Sequence, residues 1–224
     1  MKKTVETGMK RLDDILGGGF PTGTRILVSG GPGSGKTLFS LNFLMEGARK
    51  KEKCCYVSLN ETKEEILRAC SGVKSLDDAK KYVGKNLAVE YIPIGESVTI
   101  KKFVDIISSY PKLDRLVIDN VNKLLIFADN ERSYRLNVAE LVRHLKPMKC
   151  SLLLCETRGE MIDTGNGESF ECDGVIQLSF LELEEKPMRT LTLHKMRYAG
   201  FDPKVPHEFV ISDKNLKLTE TKII

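Results

Sequence analysis

GGPGSGKT, residues 30–37, has the spacing Gly, four residues, Gly, Lys, then a hydroxyl residue that defines a P-loop. Before it Arg25, Ile26, Leu27, Val28 and Ser29 read as a short buried strand, and after it Leu38, Leu41, Leu44, Met45 and Ala48 recur at helical spacing. Strand, glycine loop and helix together are the context that gives the motif a chemistry. Gly33 and Gly35 let the backbone curl without Cβ clashes, so that successive N–H groups point at a polyphosphate on the positive end of the helix dipole. The binding loop is then Gly30, Gly31, Pro32, Gly33, Ser34, Gly35, Lys36 and Thr37. Lys36 would reach the β- and γ-phosphates, and Thr37 would place its hydroxyl on Mg²⁺. The bland alternative is a Gly-rich turn that caps a helix.

The apolar runs elsewhere extend this unit into a fold. CCYVSLN (54–60), Leu87 to Ile92, Arg115 to Asp119 and Ser151 to Cys155 read as strands, and LVI and SLLLC are apolar throughout where a half-exposed strand would alternate. Helices are predicted from near Thr62 (Ile66, Leu67, Cys70), in Ser75 to Val83, around Ile100, Phe103, Val104 and Ile107, and from Glu131 to Lys146 before Pro147. The expected class is α/β, a doubly wound and mostly parallel sheet covered on both faces. The opening 23 residues carry an amphipathic piece, MKRLDDIL, and a turn at Gly17, Gly18, Gly19, Phe20 and Pro21. After Cys155 a stretch TRGEMIDTGNGESFEC reads as a mobile loop; DGVIQLSFLEL, RTLTLHKMR and HEFVIS then read as antiparallel strands added to one edge.

At 224 residues, with no internal repeat or linker, the chain is expected to be one domain, 1–224. A net charge of +4 spread along the chain gives no argument for nucleic acid or an anionic membrane. No run is long enough to span a bilayer and MKKTVETGMKRLDD has no signal-peptide core, so a cytoplasmic protein without membrane insertion is expected. Six cysteines without a CxxC pair, several in apolar strands, read as small core residues, and the three histidines lack metal-ligand spacing.

A P-loop enzyme needs a second partner for Mg²⁺, an acid ending a hydrophobic strand beside the P-loop strand, and Asp119 at the end of RLVID is the aspartate so placed. Hydrolysis further needs a carboxylate to position or deprotonate water. Glu61, just past CCYVSLN, is the candidate, although a Glu at a helix start is also simply favourable with the dipole. Strict alternation along Thr190 to Arg197 puts Leu191, Leu193, Lys195 and Arg197 on one face, with the two cations about 7 Å apart. They read either as surface charges or as phosphate-stabilising groups placed like an arginine finger.

In their order GMKRLDDILGGGFPTGTRILVSGGPGSGKT, RLVIDN, CDGVIQL, RTLTLHKMR and HEFVISDK, spread over residues 6–213, resemble the KaiC-like branch of the RecA superfamily of ATPases, including single-domain relatives common in archaea and RadA-type recombinase paralogues. The resemblance implies a RecA-like core that assembles into a homo-oligomeric ring, commonly a hexamer, with ATP and Mg²⁺ held between subunits. Residue by residue it implies that Gly30 to Thr37 bind the triphosphate, that Asp119 is the Walker B acid, and that Lys195 and Arg197 match the Lys-x-Arg pair that reaches the neighbour's γ-phosphate. Three departures stand out. The family's usual pair of glutamates reads Asn60 and Glu61, so slow hydrolysis or a nucleotide-held switch is the alternative; Asn120 stands where Ser is usual; and Ser169 is followed by Phe170, so a clock-type autokinase is not implied. In recombinases the loop matching Arg158 to Glu171 touches DNA. Here it sets Arg158 against Glu160, Asp163, Glu168 and Glu171, the wrong sign for phosphate contacts, so nucleic acid is not the expected partner. A protein partner remains unassigned.

Overall fold

The computed structural model describes residues 3–93, 99–110, 112–182 and 187–222. In chain order the elements are β1 (Thr4–Val5), α1 (Lys10–Ile15), β2 (Phe20–Pro21), β3 (Thr24–Gly30), α2 (Lys36–Arg49), β4 (Cys54–Ser58), α3 (Lys63–Ser71), β5 (Leu87–Tyr91), α4 (Ile100–Ser109), β6 (Arg115–Asp119), α5 (Glu131–His144), β7 (Cys150–Glu156), α6 (Glu168–Glu171), β8 (Gly174–Leu181), β9 (Met188–Met196), β10 (Pro206–Ile211) and β11 (Leu216–Lys222). Short 3-10 helices lie at Asp77–Lys81 and Val121–Phe127.

Period-two alternation in apolar runs explains the layers. Ile26, Val28, Tyr56, Val117, Leu152 and Leu154 point to one face, where Phe39, Phe43 and Leu44 of α2 cover them. Their neighbours Leu27, Cys55, Val57, Leu116, Ile118 and Leu153 point to the other, under Tyr134, Val138 and Leu141 of α5 and Phe103 of α4. Buried on both faces, these strands have no room for polar alternation. The helix starts are set by side-chain caps: Thr62 and Glu65 form a capping box on α3, Thr99 caps α4 and Asn130 caps α5. All six cysteines are unpaired and buried, and burial pushes the Cys70 thiol up to about 11.

The sheet order is β11-β10-β9-β8-β3-β7-β6-β4-β5. It corrects the sequence reading in several places. Strand β6, which carries Asp119, is not beside the P-loop strand: β7 lies between β3 and β6, because the chain returns from α5 into that gap. Strand β8 runs parallel to β3, so the antiparallel additions begin only at β9. Residues 157–173 make the crossover, long enough for a parallel return, and the stretch read as a mobile loop is internally bonded and holds α6. Within it Asp163 Oδ2 accepts from the Ser169 hydroxyl at 2.6 Å, and Glu168 Oε1 from Tyr134 at 2.6 Å. Phe20–Pro21, read as turn, pairs with Thr4–Val5. The helix in 75–83 shrinks to a 3-10 turn, and β11 was not foreseen. Residue 183, the end of the expected strand 173–183, lies outside the described residues.

The largest correction is on β9. Val175 pairs with Lys195 but Ile176 with Leu193, so His194 is an extra residue in a bulge. Leu191, Leu193 and Met196 consequently share one core face. Lys195 sits opposite Val175 on the other, and the expected common face of Leu191, Leu193, Lys195 and Arg197 does not form.

Candidate functional site

The loop at 30–37 leaves the C-terminal end of β3, the central strand of the nine-stranded sheet. Gly30 is flanked by Glu156 of β7 and Leu178 of β8, and a Cβ there would meet the Leu178 carbonyl oxygen at 2.2 Å. Gly35 takes φ +100 as the N-cap of α2, and a Cβ would meet Ile211 Cδ1 at 2.5 Å. Glycine is needed at both positions for reach and for backbone conformation. The helix that follows runs for 14 residues and turns its positive end to the loop.

Lys36 is buried and donates from Nζ to the carbonyls of Gly30 at 2.8 Å and Gly31 at 2.9 Å. Burial lowers its pKa, and Glu156 and Asp119 act in the opposite direction. Thr37 Oγ1 donates to Asp119 Oδ2 at 3.3 Å, so the two expected Mg²⁺ partners converge although their strands are not neighbours. Asp119 also accepts from the Tyr56 hydroxyl at 2.5 Å and from Asn60 Nδ2 at 3.4 Å. Burial raises the Asp119 pKa; the Tyr56 bond and the Lys36 charge pull it back. Glu61 is partly buried, its amide held by Ser58 Oγ at 2.9 Å. Desolvation raises its pKa, and the nearby Asp119 charge adds to the rise. Asn120, the position after Asp119, caps the 3-10 helix by accepting from the Lys123 amide at 3.2 Å.

Lys36, Thr37, Asn60, Glu61 and Asp119 line a cleft of about 460 Å³, together with two charged residues the sequence reading missed, Glu156 and Arg189. Glu156 ends β7, beside the loop, and its amide donates to Asn122 Oδ1 at 3.0 Å. The signal was present, since it is an acid ending an apolar strand, as Asp119 is. Arg189, the second residue of β9, donates from Nε to the Gly33 carbonyl at 3.2 Å and lies over Phe180, 5.2 Å from the ring centroid. Nothing in the sequence marks it without knowledge of which end of β9 faces the loop.

Lys195 and Arg197 are at that strand's other end. Met196 pairs with Gly174, which pairs with Ile26 near the start of β3, whereas the loop leaves its end. The separation along the sheet, three to four residues of β3, is roughly 10–13 Å, and two strand spacings lie across it. Lys195 Nζ donates to the carbonyls of Ser169 at 3.1 Å and Cys172 at 2.7 Å. Its pKa is lowered by burial and then by Arg197. Arg197 is exposed and reaches Asp173 at 3.5 Å, a carboxylate shared with Arg25 at 2.8 Å. The structure thus brings Gly30 to Thr37, Asp119 and Glu61 together and leaves Lys195 and Arg197 apart from them.

The cleft fits a nucleoside triphosphate with a hard divalent cation. A hydroxyl and a carboxylate converge as oxygen donors, few enough to leave room for phosphate oxygens and water. In the loop itself Ser34 Oγ is buried without a partner. No group of three or more His, Cys, Asp or Glu among the described residues could hold a metal independently, and no helix among them is long and apolar enough to cross a membrane.

Comparison with known proteins agrees. The chain is 28% identical over 242 residues to the UPF0273 protein PH0284 of Pyrococcus horikoshii, covering 100% of this chain and 97% of that one. It is 30% identical to a UPF0273 protein of Thermotoga maritima, covering 96% of each. It is also 28% identical to the circadian clock oscillator protein KaiC of Synechococcus elongatus, covering 94% of this chain but 41% of that protein. Among solved structures, the KaiC-like protein PH0186 of Pyrococcus horikoshii superposes with a TM-score of 0.85 at 26% identity, covering 98% of this chain and 100% of that one. The family model described as "ATPase: KaiC" matches residues 5–223, nearly the full length of the chain, which therefore belongs to the KaiC ATPase family in the RecA superfamily.

Proposed function

We propose that the chain is an ATPase domain, 1–224, of a cytoplasmic protein that binds Mg²⁺·ATP at residues 30–37 and hydrolyses it at the interfaces of a homo-oligomeric ring. The observation that carries this reading is the division of the charged residues. Loop, Asp119 and Glu61 lie at one end of the sheet, and Lys195 and Arg197 at the other, too far to serve the same cleft. In a head-to-tail ring each subunit would offer the second set to its neighbour's first.

In this reading the loop amides and Lys36 hold the triphosphate, while Thr37 and Asp119 hold the metal. Mg²⁺, when bound, neutralises charge on the β- and γ-phosphate oxygens. Glu61, its carboxylate at the cleft wall, accepts a hydrogen bond from the attacking water and takes its proton as the bond to the γ-phosphorus forms and the bond to the β,γ-bridging oxygen breaks. Lys195 and Arg197 of the next subunit would meet the charge on the γ-phosphoryl oxygens. Arg189 contacts the same cleft from within the subunit and would bind the nucleotide regardless of assembly.

The test records phosphate release and molar mass together, with and without ATP, on the wild type and on Glu61→Gln. ATP should raise the mass to a multiple of the monomer in both. Turnover in Glu61→Gln should fall by roughly 10²-fold or more, with ATP still bound. Full turnover by a monomer would overturn the ring reading. A second reading is favoured by Asn60. Its amide, where relatives carry a second carboxylate, already donates to Asp119, leaving Glu61 as the one carboxylate at this turn. A nucleotide-held assembly switch would show ATP retained through purification, with negligible phosphate release.

A further inference from the structure

Away from the nucleotide cleft, a cavity of about 490 Å³ opens between α1, the C-terminal half of α2, the turn after α3 and the start of β11. Four cations line it, Lys10, Arg11, Arg49 and Lys217, against one carboxylate, Asp14. Arg49 is held in place by the Ser75 carbonyl and Asp78, each at 2.6 Å. The other three have no ion pair among the described residues. Two donors on the cavity wall are also shut off from water without a partner, Arg11 Nε and the Ser75 hydroxyl. A buried donor left unpaired is costly, so two on one cavity wall beside unneutralised cations need a group rich in acceptors. The floor is apolar, formed by the buried Met9, Leu216 and Leu218.

We infer that this cavity is a second ligand site, one that takes a small molecule carrying a phosphate or diphosphate group. A phosphate presents several acceptor oxygens to the Arg11 fork, to the ammonium groups of Lys10 and Lys217 and to the Ser75 hydroxyl, and the apolar floor receives the carbon part. The site stands independently of the ATPase reading. It shares α2 with the P-loop but lies at the helix's far end, roughly 20 Å from Lys36. Occupancy would tie α1, α2 and β11 together, three elements that otherwise meet mainly through apolar contacts.

The probe is inorganic pyrophosphate, titrated calorimetrically into the full chain carrying Lys36→Ala, which weakens anion binding by the loop. The expected result is saturable binding of one pyrophosphate per chain, weakened at least about tenfold when Arg11→Gln and Lys217→Gln are added, and partly restored by Arg11→Lys in place of Arg11→Gln. With Lys36 intact, Arg11→Gln with Lys217→Gln should bind ATP as the wild type does, which also verifies the fold. Should Lys36→Ala not fold, the same titration is made on wild-type protein saturated with a slowly hydrolysed ATP analogue. Absence of saturable binding up to about 10 mM, or affinity unchanged by the Arg11 and Lys217 substitutions, overturns the inference.

Discussion

Asp119 shows how much a single side chain's surroundings decide. It is 4% exposed and accepts from Tyr56, Thr37 and Asn60, yet burial still holds its pKa above the ordinary carboxylate range. The folded chain therefore keeps this proton to a higher pH than the unfolded one does. Its stability falls as pH rises from the unfolded value through the folded one, and the whole cost is present above the folded value. Asp119→Asn removes that cost. The nucleotide-free protein should melt higher at pH 7 than the wild type, with the gain shrinking in acid, while Mg²⁺-dependent nucleotide binding weakens. Thermal unfolding followed at pH 7 and pH 4 checks it, and a lower melting temperature at pH 7 would show that the lost hydrogen bonds outweigh the desolvation. Asp119 was legible in the sequence because an apolar run ends on it. Its Tyr56 partner was not, because a tyrosine inside a buried strand reads as core until the strand order is known.

At the scale of elements, apolar runs and caps were legible and registers were not. The run RILVS, the glycine loop and the helical spacing after it are local signals, and Thr62, with a Glu three residues on, is a helix start that needs no tertiary knowledge. Strand β9 differs, because period-two reading assumes an unbroken ladder and His194 breaks it. The bulge turns Lys195 out of the face that packs on α2 and puts Met196 there instead. The facing of the cation thus depends on the ladder absorbing one extra residue as a bulge. Deleting His194 would remove the bulge and leave a regular ladder in which Lys195, now next to Leu193, still faces away from the core and Met196 still faces it. The expected outcome is a small loss in denaturant-measured stability, less than about 1 kcal/mol beyond the bond to Gln177 and close to that of His194→Ala, which keeps the bulge. A loss of about 3 kcal/mol or more on deletion, with little on His194→Ala, would mean that the bulge itself, rather than the imidazole at 2.9 Å from Gln177 Oε1, fixes this strand end.

At the scale of the whole molecule, covered apolar strands were enough to give the α/β class, but not which strand neighbours which. Both sheet corrections have one cause: the chain after α5 and the crossover at 157–173 decide strand order through long-range packing that no local pattern encodes. That order gives the molecule two unlike ends, the cleft beside the loop at 30–37 at one and the Lys195–Arg197 pair at the other. A ring built on this asymmetry can be tested without a structure of it. Lys36→Ala would disable a subunit's own cleft but leave its far-end cations intact, and Lys195→Ala with Arg197→Ala would do the reverse. Each variant alone should turn over ATP at least about 10³-fold more slowly than the wild type if the cations act as fingers. Mixed in equal amounts and allowed to exchange subunits, a random ring has both halves intact at roughly one interface in four, so about a quarter of wild-type turnover should return. Recovery should require ATP-dependent assembly and disappear when the mixture is diluted below it. If the mixture stays as slow as its components although mass measurements show mixed rings, Lys195 and Arg197 do not act across the interface, and their bonds to the α6 segment and Asp173 account for them as structural groups.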